Sequence, residues 1–164
     1  MGYGCTDKDG NGDFHHTLID ENGRLITVAY SSLELKKDTA ANDSDKSWTV
    51  PAGEYWKLLS LRAVLVSTAA AGNRQLCIEI SDGTDVILRI IPGGTQAASL
   101  TRYYNFAIGM THLTAFIDNT HITSPLPSEL MLLPGYVVRV YDKTAIDAAA
   151  DDLSVYFQIS KFIP

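Results

Sequence analysis

At 164 residues, with 46% hydrophobic and 20% charged side chains, the chain can bury the core of one domain without a disulfide framework or a metal. Its net charge is −6 and Lys36-Lys37 is its one adjacent basic pair, so no basic stripe addresses nucleic-acid phosphates. Apolar runs such as 63–66 and 130–133 fall far short of the roughly 20 residues that cross a bilayer, and residues 1–9 lack an apolar signal core; the expectation is a soluble protein made in the cytoplasm.

Residues 1–16 are rich in Gly, Asp and Asn, which favour turns and a solvated backbone, and read as an arm. Two short apolar runs within 17–27 flank Asn22-Gly23, whose tolerance of positive φ suits a two-residue hairpin turn. Strand pattern continues over 25–35, and 36–45 is polar enough for a linker. The expected organisation is an arm, hairpin and polar linker over 1–45, followed by a folded domain over 46–164.

The stretch 46–67 reads as two strands joined by a Pro51-Ala52-Gly53 corner, and a related corner returns at Pro134-Gly135. Proline fixes its own φ and donates nothing to a ladder, and glycine tolerates the turn behind it, so each corner ends one run and launches the next. Along 55–66 both faces are partly apolar; strict alternation puts Leu59 and Leu61 on the core side and Leu58, Val64 and Val66 on the other. Further strands are expected at 74–81, 86–91, 97–108, 113–117 and 136–142, with a long exposed connection over 118–127. A loop or single turn fills 144–152. In the last strand, 153–162, Leu153, Val155, Phe157 and Ile159 alternate with polar residues and point inward.

This pattern specifies an all-β protein, an antiparallel β-sandwich that is jelly-roll-like rather than an up-and-down barrel, with Trp48 and Trp56 filling its core. Strand order is not contained in it.

Sites are sparser. Asp7, Asp9, Asn11 and Asp13 match the first half of a calcium loop, in which alternate oxygens converge on a hard cation. Leu18 stands where the bidentate Glu belongs, and six residues leave no room for an entering helix, so the default reading is an Asx/Gly turn. His15, His16, His112 and His121 are too scattered for a metal site, and Cys5 and Cys77 read as free thiols. There is no nucleophile elbow, phosphate loop or zinc-protease motif, and Asp20-Glu21 and Asp151-Asp152 sit in expected turns as solvated carboxylates. No cofactor is implied, and an enzyme is not expected. The interface candidates are Leu58, Val64, Val66, Tyr141 and Tyr156.

The segments Trp48-Thr-Val-Pro-Ala-Gly-Glu-Tyr-Trp56, Ala71-Gly-Asn-Arg-Gln-Leu76 and Leu133-Pro-Gly-Tyr-Val-Val-Arg-Val140 resemble β-sandwich virion proteins of tailed bacteriophages, of the capsid decoration (cement) and head- or tail-fibre kinds. The likeness spans residues 46–163. It implies a non-enzymatic virion protein, a capsid decoration or stabilising protein, that assembles with itself, a trimer included, and with other virion proteins such as the major capsid protein, without nucleic acid or membrane. The alternative is a carbohydrate- or host-receptor-binding module of a tail or fibre.

Overall fold

A computed structural model describes residues 30–111 and 120–163, together with the antiparallel pair β1 (Gly4–Cys5) and β2 (His16–Thr17), Gly4 opposite Thr17 and Cys5 opposite His16. The chain divides into two units, Met1–Tyr30 and Ser31–Pro164. The Asn22-Gly23 turn, the strand expected at 113–117 and the Asp7–Asp13 loop lie outside the described residues. No helix occurs among the described residues, hence none long and apolar enough to cross a membrane.

The second unit is built from β3 (Tyr30–Asp38), β4 (Asp45–Thr49), β5 (Tyr55–Val66), β6 (Leu76–Ser81), β7 (Val86–Ile90), β8 (Thr101–Ile108), β9 (His121–Leu126), β10 (Met131–Leu132), β11 (Val137–Asp142) and β12 (Asp152–Ile163). One sheet runs β3-β12-β5-β8-β9, with β10 on the near half of β5; the other runs β4-β11-β6-β7. The innermost hairpin is β6–β7, and β5–β8, β4–β11 and β3–β12 nest around it as partners. Rolling this long nested ribbon brings β12 beside β5 and β11 beside β6, which is a jelly roll. The folded unit therefore begins before Lys46: β3 lies in the larger sheet, and the boundary moves from residue 45 to Tyr30/Ser31.

The two proline-glycine corners are hydrogen-bonded to each other. Val50 N donates to Tyr136 O at 2.8 Å and Gly135 N donates to Val50 O at 2.9 Å. Gly53 (φ 79°) and Gly135 (φ 86°) take the left-handed backbone that a Cβ would disfavour. Between the sheets, Phe157 meets Trp48 edge-on at 4.8 Å and Trp56 at 6.5 Å. Trp56 is buried, and its indole N–H donates to Glu54 at 2.8 Å, so the polar end of the ring is satisfied one residue past the corner. Leu153, Val155, Phe157 and Ile159 are buried, as their alternation requires.

Three further expectations need correction. The first concerns β5. Ser60 pairs with Gln158 but Leu58 pairs with Ile159, so Leu59 is an extra residue, a β-bulge that inverts the strand's parity below it. Leu61, Ala63 and Leu65 face the core above the bulge; below it Leu58 and Trp56 do, while Leu59 is only half-buried. Leu58, 1% exposed, is core and not interface.

The second is the connection expected over 118–127. It contains β9, paired in parallel with β8 (Tyr103 opposite His121), and Ile122, Thr123, Ser124 and Leu126 are buried. β9 includes Pro125 but ends its sheet, where a residue without an N–H is tolerated.

The third is Asp151. Far from being solvated, it is fully buried against fully buried Arg74, with Nε donating to Oδ2 at 2.7 Å and Nη2 to Oδ1 at 3.1 Å. The other guanidinium donors reach Ala70 O, Gly72 O and Thr68 Oγ1, so all five are used. The Arg74 backbone exchanges two hydrogen bonds with Gln96, whose side chain in turn joins Leu65 O, Leu100 O and the Tyr104 hydroxyl. This polar network pins the loops at one end of the sandwich. Burial alone would raise the Asp151 carboxyl, but hydrogen bonds from Arg74 and Thr68 hold it below its usual value.

Candidate functional site

Two outward surfaces carry the chemistry of this unit. On the smaller sheet, register places Asp45, Arg139, Tyr141, Glu79 and Arg89 on one outer face. Arg139 forks onto Asp45 and lies 4.1 Å from the Tyr141 ring centre; the Tyr141 hydroxyl donates to Glu79 at 2.9 Å, and Arg89 reaches the same oxygen at 2.7 Å. Burial and the bond to Glu79 push the Tyr141 phenol up to about 12. Burial would raise Glu79, yet Arg89 and Tyr141 hold it low. This ladder covers Cys77, a buried free thiol, and explains why β6 is buried on both faces although one of them bears Glu79. Tyr141 is thus engaged within its own sheet.

The free margin of that sheet is β7. Val86 is 44% exposed and Ile87 50%, with Ile91 just beyond also exposed. Other margins are guarded: β3 carries Glu34, Lys36, Lys37 and Asp38, β4 carries Asp45 and Lys46, and β9 contains Pro125. On β7 the one charge is Arg89, held on Glu79 of its own chain.

On the larger sheet, the outer face is ordered in rows. Tyr156, Arg62 and Asn105 lie side by side on β12, β5 and β8, and Gln158, Ser60 and Ala107 form the next row. The Arg62 guanidinium lies 5.4 Å from the Tyr103 ring centre and 5.8 Å from that of Tyr156, and Tyr103 stacks on His121 at 4.8 Å. An open groove of about 470 Å³ runs over these rows, bounded by Leu35 and Met110. Leu33 and Leu35 on β3 are 69% and 62% exposed. Of the remaining interface candidates, Val64 and Tyr156 are half-buried on this outer face and Val66 is exposed beside them.

Strand parity placed Arg62 on the same side as Val64 and Tyr156 on the side opposite the core, but sequence alone did not bring Arg62, Asn105 and Gln158 together. That required the order β12-β5-β8. Among the described residues no cluster of three or more His, Cys, Asp or Glu is placed to hold a metal ion. Asp7, Asp9, Asn11 and Asp13 are outside the described residues, as are His15 and His112.

Neither a protein-family model nor a curated protein matches the chain. Among solved structures it is similar to the coat protein of Tobacco streak virus, at 14% identity and a TM-score of 0.33, with 80% of this chain aligned to 88% of that one. It is also similar to structures of infectious bursal disease virus: the Gx strain at 12% identity and a TM-score of 0.27, covering 80% of this chain and 40% of the other, and the Gt strain at 10% and 0.28, covering 96% and 50%. All three are viral, and none carries over the tailed-bacteriophage resemblance. Likenesses this weak carry no argument about function, which has to stand on the surfaces of this chain.

Proposed function

We propose that the chain is a non-enzymatic structural protein of a virion, specifically a capsid decoration or stabilising protein of tailed-bacteriophage type, that works by contacts with copies of itself and with other virion proteins. The observation that carries this reading is the aliphatic β7 margin: a strand with exposed Val86 and Ile87, no proline and no unneutralised charge, whose one device against pairing is the bulge that leaves Ile87 without a partner on β6. A second copy meeting β7 antiparallel about Leu88 would set Val86 opposite Ile90 and Ile87 opposite Arg89, and continue the four-stranded sheet across a two-fold axis. Several copies joined in this way bind a repeating lattice with avidity that one modest surface lacks.

The test is the mass of the protein in solution and its binding to empty, undecorated capsids, for the natural sequence and for Ile87→Lys. The reading expects an oligomer that binds capsids and a folded monomer that binds them weakly. A natural protein that is monomeric and ignores capsids would sink it.

A second reading, a carbohydrate- or host-receptor-binding module of a tail or fibre, is favoured by the open groove on the opposite sheet, with its arginine and tyrosines.

A further inference from the structure

We propose that the groove over β12, β5 and β8 binds an acidic sugar, with Arg62 taking the carboxylate. The inference rests on the second reading above and is independent of assembly through β7.

Arg62 stands apart from its counterparts. Arg74, Arg89 and Arg139 each engage a carboxylate of the chain, whereas among the described residues Arg62 meets only the rings of Tyr103 and Tyr156 and makes no ion pair or hydrogen bond. In a chain with 19 acidic and 13 basic side chains, acids are abundant, yet none lines this groove. The guanidinium is instead steered by aromatic faces, Tyr103 on one side and Tyr156 on the other. Attraction to the rings' π electrons uses none of the guanidinium N–H donors on a carboxylate or carbonyl oxygen. A planar fork in that state is complementary to a carboxylate, which it can hold by two parallel hydrogen bonds.

The neighbours of Arg62 select the rest of the ligand. Asn105 and Gln158 supply donors and acceptors, and Ser60 a hydroxyl, none of them used within the described chain. Mixed donors and acceptors at strand spacing suit the vicinal hydroxyls of a pyranose, while Tyr156 and exposed Leu35 offer apolar surface to its C–H face. At about 470 Å³ the groove is within the range of roughly 300–1,000 Å³ usual for small-molecule sites. A neutral sugar would leave Arg62 unpaired, and a purely apolar partner would strand the amides as well.

The experiment is calorimetric titration of the full chain with sialyllactose, lactose, an oligogalacturonide, its methyl ester and an acidic peptide. Binding is expected for sialyllactose or the oligogalacturonide, with no measurable heat for lactose or the ester. Arg62→Gln should weaken acidic-sugar binding by at least about tenfold, and Arg62→Lys, which keeps charge but loses the fork, by an intermediate factor. Because Arg62 is exposed, an unchanged far-ultraviolet spectrum will show both variants folded. Equal binding of acid and neutral partners, indifference to Arg62→Gln, or preference for the peptide would overturn the proposal. Monomeric Ile87→Lys should bind the sugar with unaltered per-site affinity, whereas an oligomer of the natural sequence that binds capsids but no acidic sugar refutes this inference and leaves the assembly reading standing.

Discussion

Arg74 and Asp151, 77 positions apart, form a two-pronged ion pair in which neither side chain touches solvent. An interior pair of this kind contributes little net stability over a well-packed apolar pair, but removing one partner abandons a charge in the interior. Arg74→Met should therefore destabilise the unit by about 3–5 kcal/mol in urea titration. Asp151 also sets an acid limit. Its carboxyl lies below its unfolded value, so the associated stability is present above about pH 4 and is lost as pH falls through the folded value. Melting curves between pH 6 and 3 should show this loss, and Asp151→Asn, though less stable at neutral pH, should show a flatter acid limb.

The bulge at Leu59 makes a sharper test of register. Leu58→Ala should cost about 2–5 kcal/mol, and Leu59→Ala clearly less, although the two are neighbours of identical chemistry. On the opposing strand Phe157→Ala should cost about 3–5 kcal/mol, by losing transfer energy and its contact with Trp48, while Gln158→Ala should be near neutral. Equal effects within either pair would mean that the strand is shifted by one residue.

Tyr141 should betray its bond to Glu79 in alkali. With its phenol raised to about 12, the associated stability is complete below about pH 10, the unfolded value, and declines as pH rises towards the folded one. Ultraviolet titration of the natural protein should show late ionisation from two tyrosines, Tyr104, whose phenol burial pushes up, and Tyr141, and Tyr141→Phe should remove one of them. If Tyr141→Phe left the late component untouched, the ladder Arg139-Tyr141-Glu79-Arg89 would be misdrawn.

Removal of residues 1–20 should leave the jelly roll folded, because residues 31–164 form a unit of their own. Circular dichroism and cooperative melting check the fold, and capsid binding checks whether the removed residues contribute to assembly. A truncated chain without a cooperative transition would contradict the division at Tyr30/Ser31.

What could be read from the sequence was local. Alternation in β12 placed Val155, Phe157 and Ile159 in the core, and the Pro-Gly corners marked where strands begin, because both effects reside within a few residues of the chain. Leu58 was misplaced because a bulge is set by the partner strand and leaves no mark in a run as uniformly apolar as 58–66. Asp151 was misread for a similar reason: its partner, Arg74, lies in a distant loop that only the rolled topology brings near. The turn residues within 118–127 concealed β9, because an edge position, where Pro125 is harmless, is invisible without strand order. The groove had the same obstacle, since its members come from three strands far apart in sequence.

The position of β12 has a consequence for biogenesis. Between β3 and β5 there is a gap one strand wide until Asp152–Ile163 emerges from the ribosome, and β3 cannot reach its sheet without it. A nascent chain therefore carries inner apolar faces uncovered until β12 has been made, although the β6–β7 hairpin and the β5–β8 pair around it can form before then. Completion of the larger sheet therefore waits for β12, and arrested chains ending before residue 152 should be held by ribosome-associated chaperones and cut by protease, whereas chains extended past 163 by a linker long enough to clear the exit tunnel should become resistant in a single step.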